Sequence, residues 1–188
     1  MYYQRRLLRF FCWMNVSLVL TVLVGCASTP EPSRRYTLID TQYEDGLAAY
    51  NGRHYDRALS IWTELANKGS SEALNSIGMM YQNGRGVSRD VTEAAQLYQA
   101  AANTGLAAAQ NNLGVLYESG EGVDHNPAKA AELYRKSADQ GYVWAQYNLA
   151  RLFQTGNGVP KDSLSAQRLF EQAEQSKKRI KPDKILDR

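Results

Sequence analysis

Gly84-Arg85-Gly86-Val87, Gly120-Glu121-Gly122-Val123 and Gly156-Asn157-Gly158-Val159 are one motif written three times, 36 residues apart each time. The same period runs outward from the motif in both directions. It links Gly78, Gly114 and Ala150, then Tyr81, Tyr117 and Phe153. It also links Asp90, Asn126 and Asp162, Ala94, Ala130 and Ala166, Tyr98, Tyr134 and Phe170, and Gly69, Gly105 and Gly141. A period in this range is the mark of a stacked array, in which each unit completes its neighbour's core. The motif is therefore a structural turn with its valine pointing inward. It is not a phosphate loop, because no Gly-Lys-Ser/Thr ending and no preceding strand accompany it.

Asp90, Asn126 and Asp162 read as helix N-caps, whose side-chain oxygens accept from free backbone N–H groups. Pro127 suits the first helical position. Gly69, Gly105 and Gly141 read as left-handed helix stops. Gly78 and Gly114 fall inside helices, where glycine costs up to about 1 kcal/mol; a closely crossing partner helix is the compensation expected. Each unit is thus helix, glycine loop, capped helix, glycine stop. First helices are predicted at about 72–82, 108–118 and 144–154, and second helices at about 91–102, 127–138 and 163–175. An earlier pair, 40–51 and 55–67, carries Ala58, Trp62, Ala66 and Gly69 but has the shorter turn Gly52-Arg53-His54. At the next expected glycine stands Lys177, so the array is predicted to stop there. The fold class is all-α, with about four stacked helical hairpins.

The pattern Ile77-Gly78…Tyr81…Gly84-x-Gly86-Val87…Asp90…Ala94-Ala95…Tyr98…Ala101-Ala102…Gly105…Ala109 resembles the Sel-one-like repeat, a relative of the tetratricopeptide repeat. The resemblance covers about Asp40 to Ser176. It implies a right-handed α-solenoid that acts as an adaptor in protein complexes, without catalysis of its own. It also implies that the first helix of each pair lines the inner surface. Packing positions on these helices are Ile77/Tyr81, Leu113/Tyr117 and Leu149/Phe153. The other side then offers Asn75 and Met79, next Asn111, Asn112 and Val115, and last Trp144, Tyr147, Asn148 and Arg151, as the expected partner-binding residues. Asparagines in register can bond an extended peptide backbone. Trp144, Tyr147 and Arg151 share one helical stripe and the composition of a binding hot spot.

The chain of 188 residues carries a formal charge of +3. Arg5, Arg6 and Arg9 supply that excess, since no acid precedes Glu31. A basic start and an apolar run, Phe10–Val24, form a secretory leader, too short for a membrane span, which needs roughly 20 residues. The run ends in Leu23-Val24-Gly25-Cys26, which resembles a bacterial lipobox: Cys26 is the expected lipidation site and residues 1–25 the signal peptide. Acyl chains hold a protein at a bilayer through about 0.8 kcal/mol per buried methylene. Ala27-Ser28 after the cysteine, with no aspartate, resembles the signal for the outer membrane. Residues 26–39 read as the lipidated cysteine and a proline-containing tether, 40–176 as the repeat domain and 177–188 as a basic tail.

Without the leader the chain is neutral, so nucleic acid is not an expected partner. The cysteines, Cys12 and Cys26, leave no disulfide pair and no metal cluster. His54 and His125 lie in separate loops and are expected to be exposed. Glu93, Glu118, Glu121 and Glu132 read as a solvated helix surface. No cofactor, metal or catalytic group is expected. The expectation is a periplasm-facing outer-membrane adaptor for an envelope protein or peptide. The competing class is a peptidoglycan-active or β-lactam-hydrolysing enzyme, an activity associated with cysteine-rich relatives whose paired repeat cysteines are missing here.

Overall fold

The computed structural model describes residues 38–179, all of them helix or connecting turn. The leader, Cys26, most of the tether and the end of the tail lie outside the described residues. Among the described residues eight helices follow one another: α1 (Leu38–Asn51), α2 (Tyr55–Asn67), α3 (Ser71–Asn83), α4 (Val91–Asn103), α5 (Ala107–Ser119), α6 (Pro127–Asp139), α7 (Val143–Thr155) and α8 (Ser163–Arg179). Each packs on the next in a helical solenoid. The pairing is antiparallel: Lys129 Nζ meets Tyr117 OH at 2.6 Å near one end of α5/α6, and Ser137 Oγ donates to Ala107 O at 2.7 Å at the other. The starts of α1, α3, α5 and α7 therefore share one edge with the ends of the even helices. The Gly-x-Gly loops share the opposite edge.

The caps sit as the sequence predicts. Asp90 Oδ1 accepts from Glu93 N at 3.0 Å, Asn126 Oδ1 from Lys129 N at 3.0 Å, and Asp162 Oδ1 from Ser165 N at 3.0 Å. Gly69, Gly105 and Gly141 have positive φ, as do both glycines of every Gly-x-Gly. The second of these glycines has a further job. A Cβ on Gly122 would lie 2.5 Å from Val91 O, and one on Gly158 would lie 2.3 Å from Pro127 C. Each loop thus seats against the first turn of the second helix of the preceding unit, with Val87, Val123 and Val159 partly buried in the core.

Gly78 and Gly114 are where helices cross: a Cβ on either would lie 2.7 Å from Cε1 of Tyr98 or Tyr134. Both tyrosines are fully buried. The first hairpin uses the same device through Gly46, whose Cβ would meet Trp62 Nε1 at 2.3 Å. The shorter first turn hides this equivalence in the sequence, because Gly46 precedes Gly78 by 32 residues instead of 36. At the far end, α8, predicted at about 163–175, runs on to Arg179.

Candidate functional site

The first helices of the pairs present a common surface, and its floor is a hydrogen-bond ladder. Tyr43 OH meets Ser76 Oγ at 2.8 Å, tying α1 to α3. Asn112 Nδ2 donates to Asn75 Oδ1 at 3.0 Å, tying α3 to α5. Asn148 Nδ2 donates to Asn111 Oδ1 at 2.9 Å, tying α5 to α7. Within α5, Asn111 Nδ2 donates to Asn112 Oδ1 at 3.4 Å and joins the two rungs. The series closes where Tyr147 OH donates to Glu174 of α8; this bond raises the Tyr147 phenol above its ordinary pKa.

This arrangement changes the role of the asparagines. The sequence suggests amides open to a peptide backbone, but Asn75 is only 7 % and Asn111 only 6 % exposed. Their amides join neighbouring helices. A buried amide must find partners, and in this array the next repeat supplies them. The sequence marks the columns but not the rungs. Residues 36 apart occupy equivalent positions, yet the bonds join residues 37 apart, because the stacked helices are offset.

Above the floor runs a second column, Met79, Val115 and Arg151. Met79 is half-buried and Asn75 Nδ2 points at its sulfur from 3.8 Å. Val115 is 37 % exposed. Arg151 is engaged: Nη1 and Nη2 donate to the two oxygens of Glu118 at 2.7 and 2.8 Å. Glu118 is not the solvated carboxylate the sequence suggests. Its side chain is 14 % exposed and also accepts from Tyr134 OH at 2.9 Å. One repeat earlier Gln82 accepts from Tyr98 OH at 2.7 Å in the same geometry, with no charge involved. Burial, followed by the charge of Glu118, holds the Tyr134 phenol well above its ordinary pKa. At the α7 end, Trp144 is 38 % exposed with its ring 6.2 Å from that of Tyr147, which in turn lies 6.0 Å from Phe170. Tyr147 and Arg151 thus have intramolecular partners as well as solvent-facing surface.

Among the described residues, Val115 and Trp144 are two of the three large exposed hydrophobic residues, and both lie on this surface. His54 and His125 are exposed in their loops. Among the described residues no cluster of three or more His, Cys, Asp or Glu could hold a metal ion, and no helix is long and apolar enough to cross a membrane.

Sel1 repeats match residues 71–106, 107–142 and 145–176, more than half of the sequence. The chain belongs to the Sel1 repeat family. Its fold is similar to that of a Sel1 repeat protein from Oxalobacter formigenes, with a TM-score of 0.68 at 31 % identity over 71 % of this chain and 55 % of that one. It is also similar to a protective antigen present in uropathogenic Escherichia coli strains that displays an SLR fold. There the TM-score is 0.53 at 26 % identity, over 73 % of this chain and 38 % of that one. The similarity thus spans little more than half of the first relative and less of the second. No curated protein sequence matches the chain. Sel1 repeat proteins generally mediate protein–protein interaction, and their fold is typically a non-catalytic scaffold.

Proposed function

We propose that this chain is an adaptor of the bacterial envelope, anchored in the outer membrane through acylated Cys26. It faces the periplasm and binds a protein partner on the surface of α3, α5 and α7. The observation that carries the reading is the exposure of Val115 and Trp144, with half-buried Met79 in the same column as Val115, along one surface whose polar floor is already hydrogen-bonded within the array. Such a surface offers apolar area over amides that already have partners, which favours a protein partner with a complementary apolar stripe. The lipobox-like Leu23-Val24-Gly25-Cys26 supports the anchor.

A photo-crosslinking residue at Val115, compared in cells with one at the exposed Gln96 on α4, tests the surface. A discrete protein adduct from position 115 alone is expected. Equal adducts from both positions, or none from 115, reject this surface. Labelling with a fatty-acid analogue tests the anchor separately: Cys26→Ser is expected to abolish label and membrane retention together.

A further inference from the structure

We propose that the corner of the solenoid formed by the end of α8 and the start of α7 rests on an anionic lipid surface and sets the protein upright on its membrane. The inference rests on the anchored reading above and adds a second contact to it.

Topology supplies the first reason. Eight antiparallel helices bring Leu38, where the tether joins α1, to the same edge as Arg179, where α8 ends. An anchor at Cys26 attaches to that edge through a tether that reaches at most about 40 Å. Charge supplies the second. The last turn of α8 carries Lys177, Lys178 and Arg179, all exposed, and the sequence continues with Lys181, Lys184 and Arg188 against Asp183 and Asp187. The acids of this edge among the described residues lie elsewhere, Asp40 on α1, Glu64 on α2 (paired with Lys68 at 2.6 Å), Glu72 on α3 and Asp139 on α6, and Glu174 on α8 is bonded to Tyr147, so positive charge gathers at the α8 corner. The opposite edge is mixed in sign: Arg89 is paired with Glu121 at 2.7 Å, and Asp90, Asp124 and Asp162 alternate with its cations.

The third reason is Trp144. The Tyr147–Glu174 bond fixes the register of α7 against α8, and Trp144 lies about one turn nearer the edge, at the level of Lys177 and Lys178. An exposed tryptophan beside a basic cluster is the pairing that favours the headgroup region: the indole partitions into the interface while the cations meet lipid phosphates. With this edge down, the helices stand along the membrane normal. The part of the α3/α5/α7 surface around Met79 and Val115 then faces sideways, open to a partner, while Trp144 at its membrane end meets the headgroups.

The test uses the full chain purified from membranes and mixed with vesicles of phosphatidylcholine, alone or with 30 % phosphatidylglycerol (about one lipid in three anionic, enough for a strong surface potential). Flotation reports retention, and quenching by brominated lipids reports Trp144, with Trp144→Phe to subtract the other tryptophans. Quenching is expected on the anionic vesicles, at least halved in 0.5 M salt, where screening shortens to about 4 Å. It is expected to disappear in Lys177→Gln/Lys178→Gln/Arg179→Gln, checked for helicity by circular dichroism. Equal quenching on neutral and anionic vesicles, no quenching on either, or a triple variant that behaves as wild type overturns the proposal. So does a triple variant that loses a protein partner while its quenching is unchanged. The anchor is read independently: retention on neutral vesicles reports acylation. A chain retained there without charge-dependent quenching keeps the anchor and loses the corner. One retained only on anionic vesicles, with the expected quenching, keeps the corner and loses the anchor.

Discussion

At the residue scale, the period shows which glycines are equivalent, and the structure shows why they differ in cost. A side chain on Gly114 meets the flat ring of fully buried Tyr134. Gly120 has φ +74 and faces only His125, whose Cβ lies 3.0 Å and whose Cα lies 3.4 Å from an added Cβ. Overpacking a crossing costs about 1–3 kcal/mol or more, whereas alanine in a left-handed turn costs about 1–2 kcal/mol. Gly114→Leu is therefore expected to lower the urea midpoint more than Gly120→Ala; equal midpoints would remove the crossing from the account. Arg151 is a case the sequence does not reveal. Its stripe position reads as an exposed anchor, but its partner Glu118 comes from the preceding repeat, 33 residues away, and no local pattern announces that pairing. Arg151→Ala should cost about 1 kcal/mol, modest because the arginine is half exposed to screening solvent. Glu118→Gln should cost less, since Gln82 already serves Tyr98 in that role. Thermal melts of the two variants check the order.

At the element scale, helix existence, type and order were legible because caps and stops recur at fixed offsets. Seven helices start and end within two residues of their predicted bounds, and the exception is instructive. Lys177 replaces the stop glycine, and with two further cations it suits the negative end of the helix dipole, so α8 runs on. The caps do not act alone. Asn126 closes the first turn of α6, while Gly158 of the next loop seats on Pro127, so cap and inter-repeat seat share one turn. Asn126→Ala should cost about 1 kcal/mol. It should also speed amide exchange both in the first turn of α6 and in the loop at 156–159. Faster exchange in α6 alone would mean that cap and seat are uncoupled.

At the scale of the whole molecule, the ladder ties helices that adjacent packing leaves apart. Stability in a stacked array is approximately a sum of unit and neighbour terms, so distant substitutions should add. The asparagines predict an exception. Asn75, Asn112, Asn111 and Asn148 form one series of three bonds through α3, α5 and α7, and its two outer members, Asn75 and Asn148, do not touch each other. Asn112→Ala removes the donor to Asn75 and the acceptor of Asn111 together, leaving two buried amides short of a partner, at about 1–3 kcal/mol. Asn148→Ala removes the donor to Asn111 from the other side. If the series polarises as a unit, breaking one rung weakens the next, and the double variant should lose less stability than the sum of the singles by about 0.5 kcal/mol or more. Urea unfolding of wild type, both singles and the double measures the coupling. Strict additivity would make the rungs independent contacts. Unchanged stability with weakened capture of a partner would return the asparagines to the role their spacing first suggested, as groups that bond a peptide.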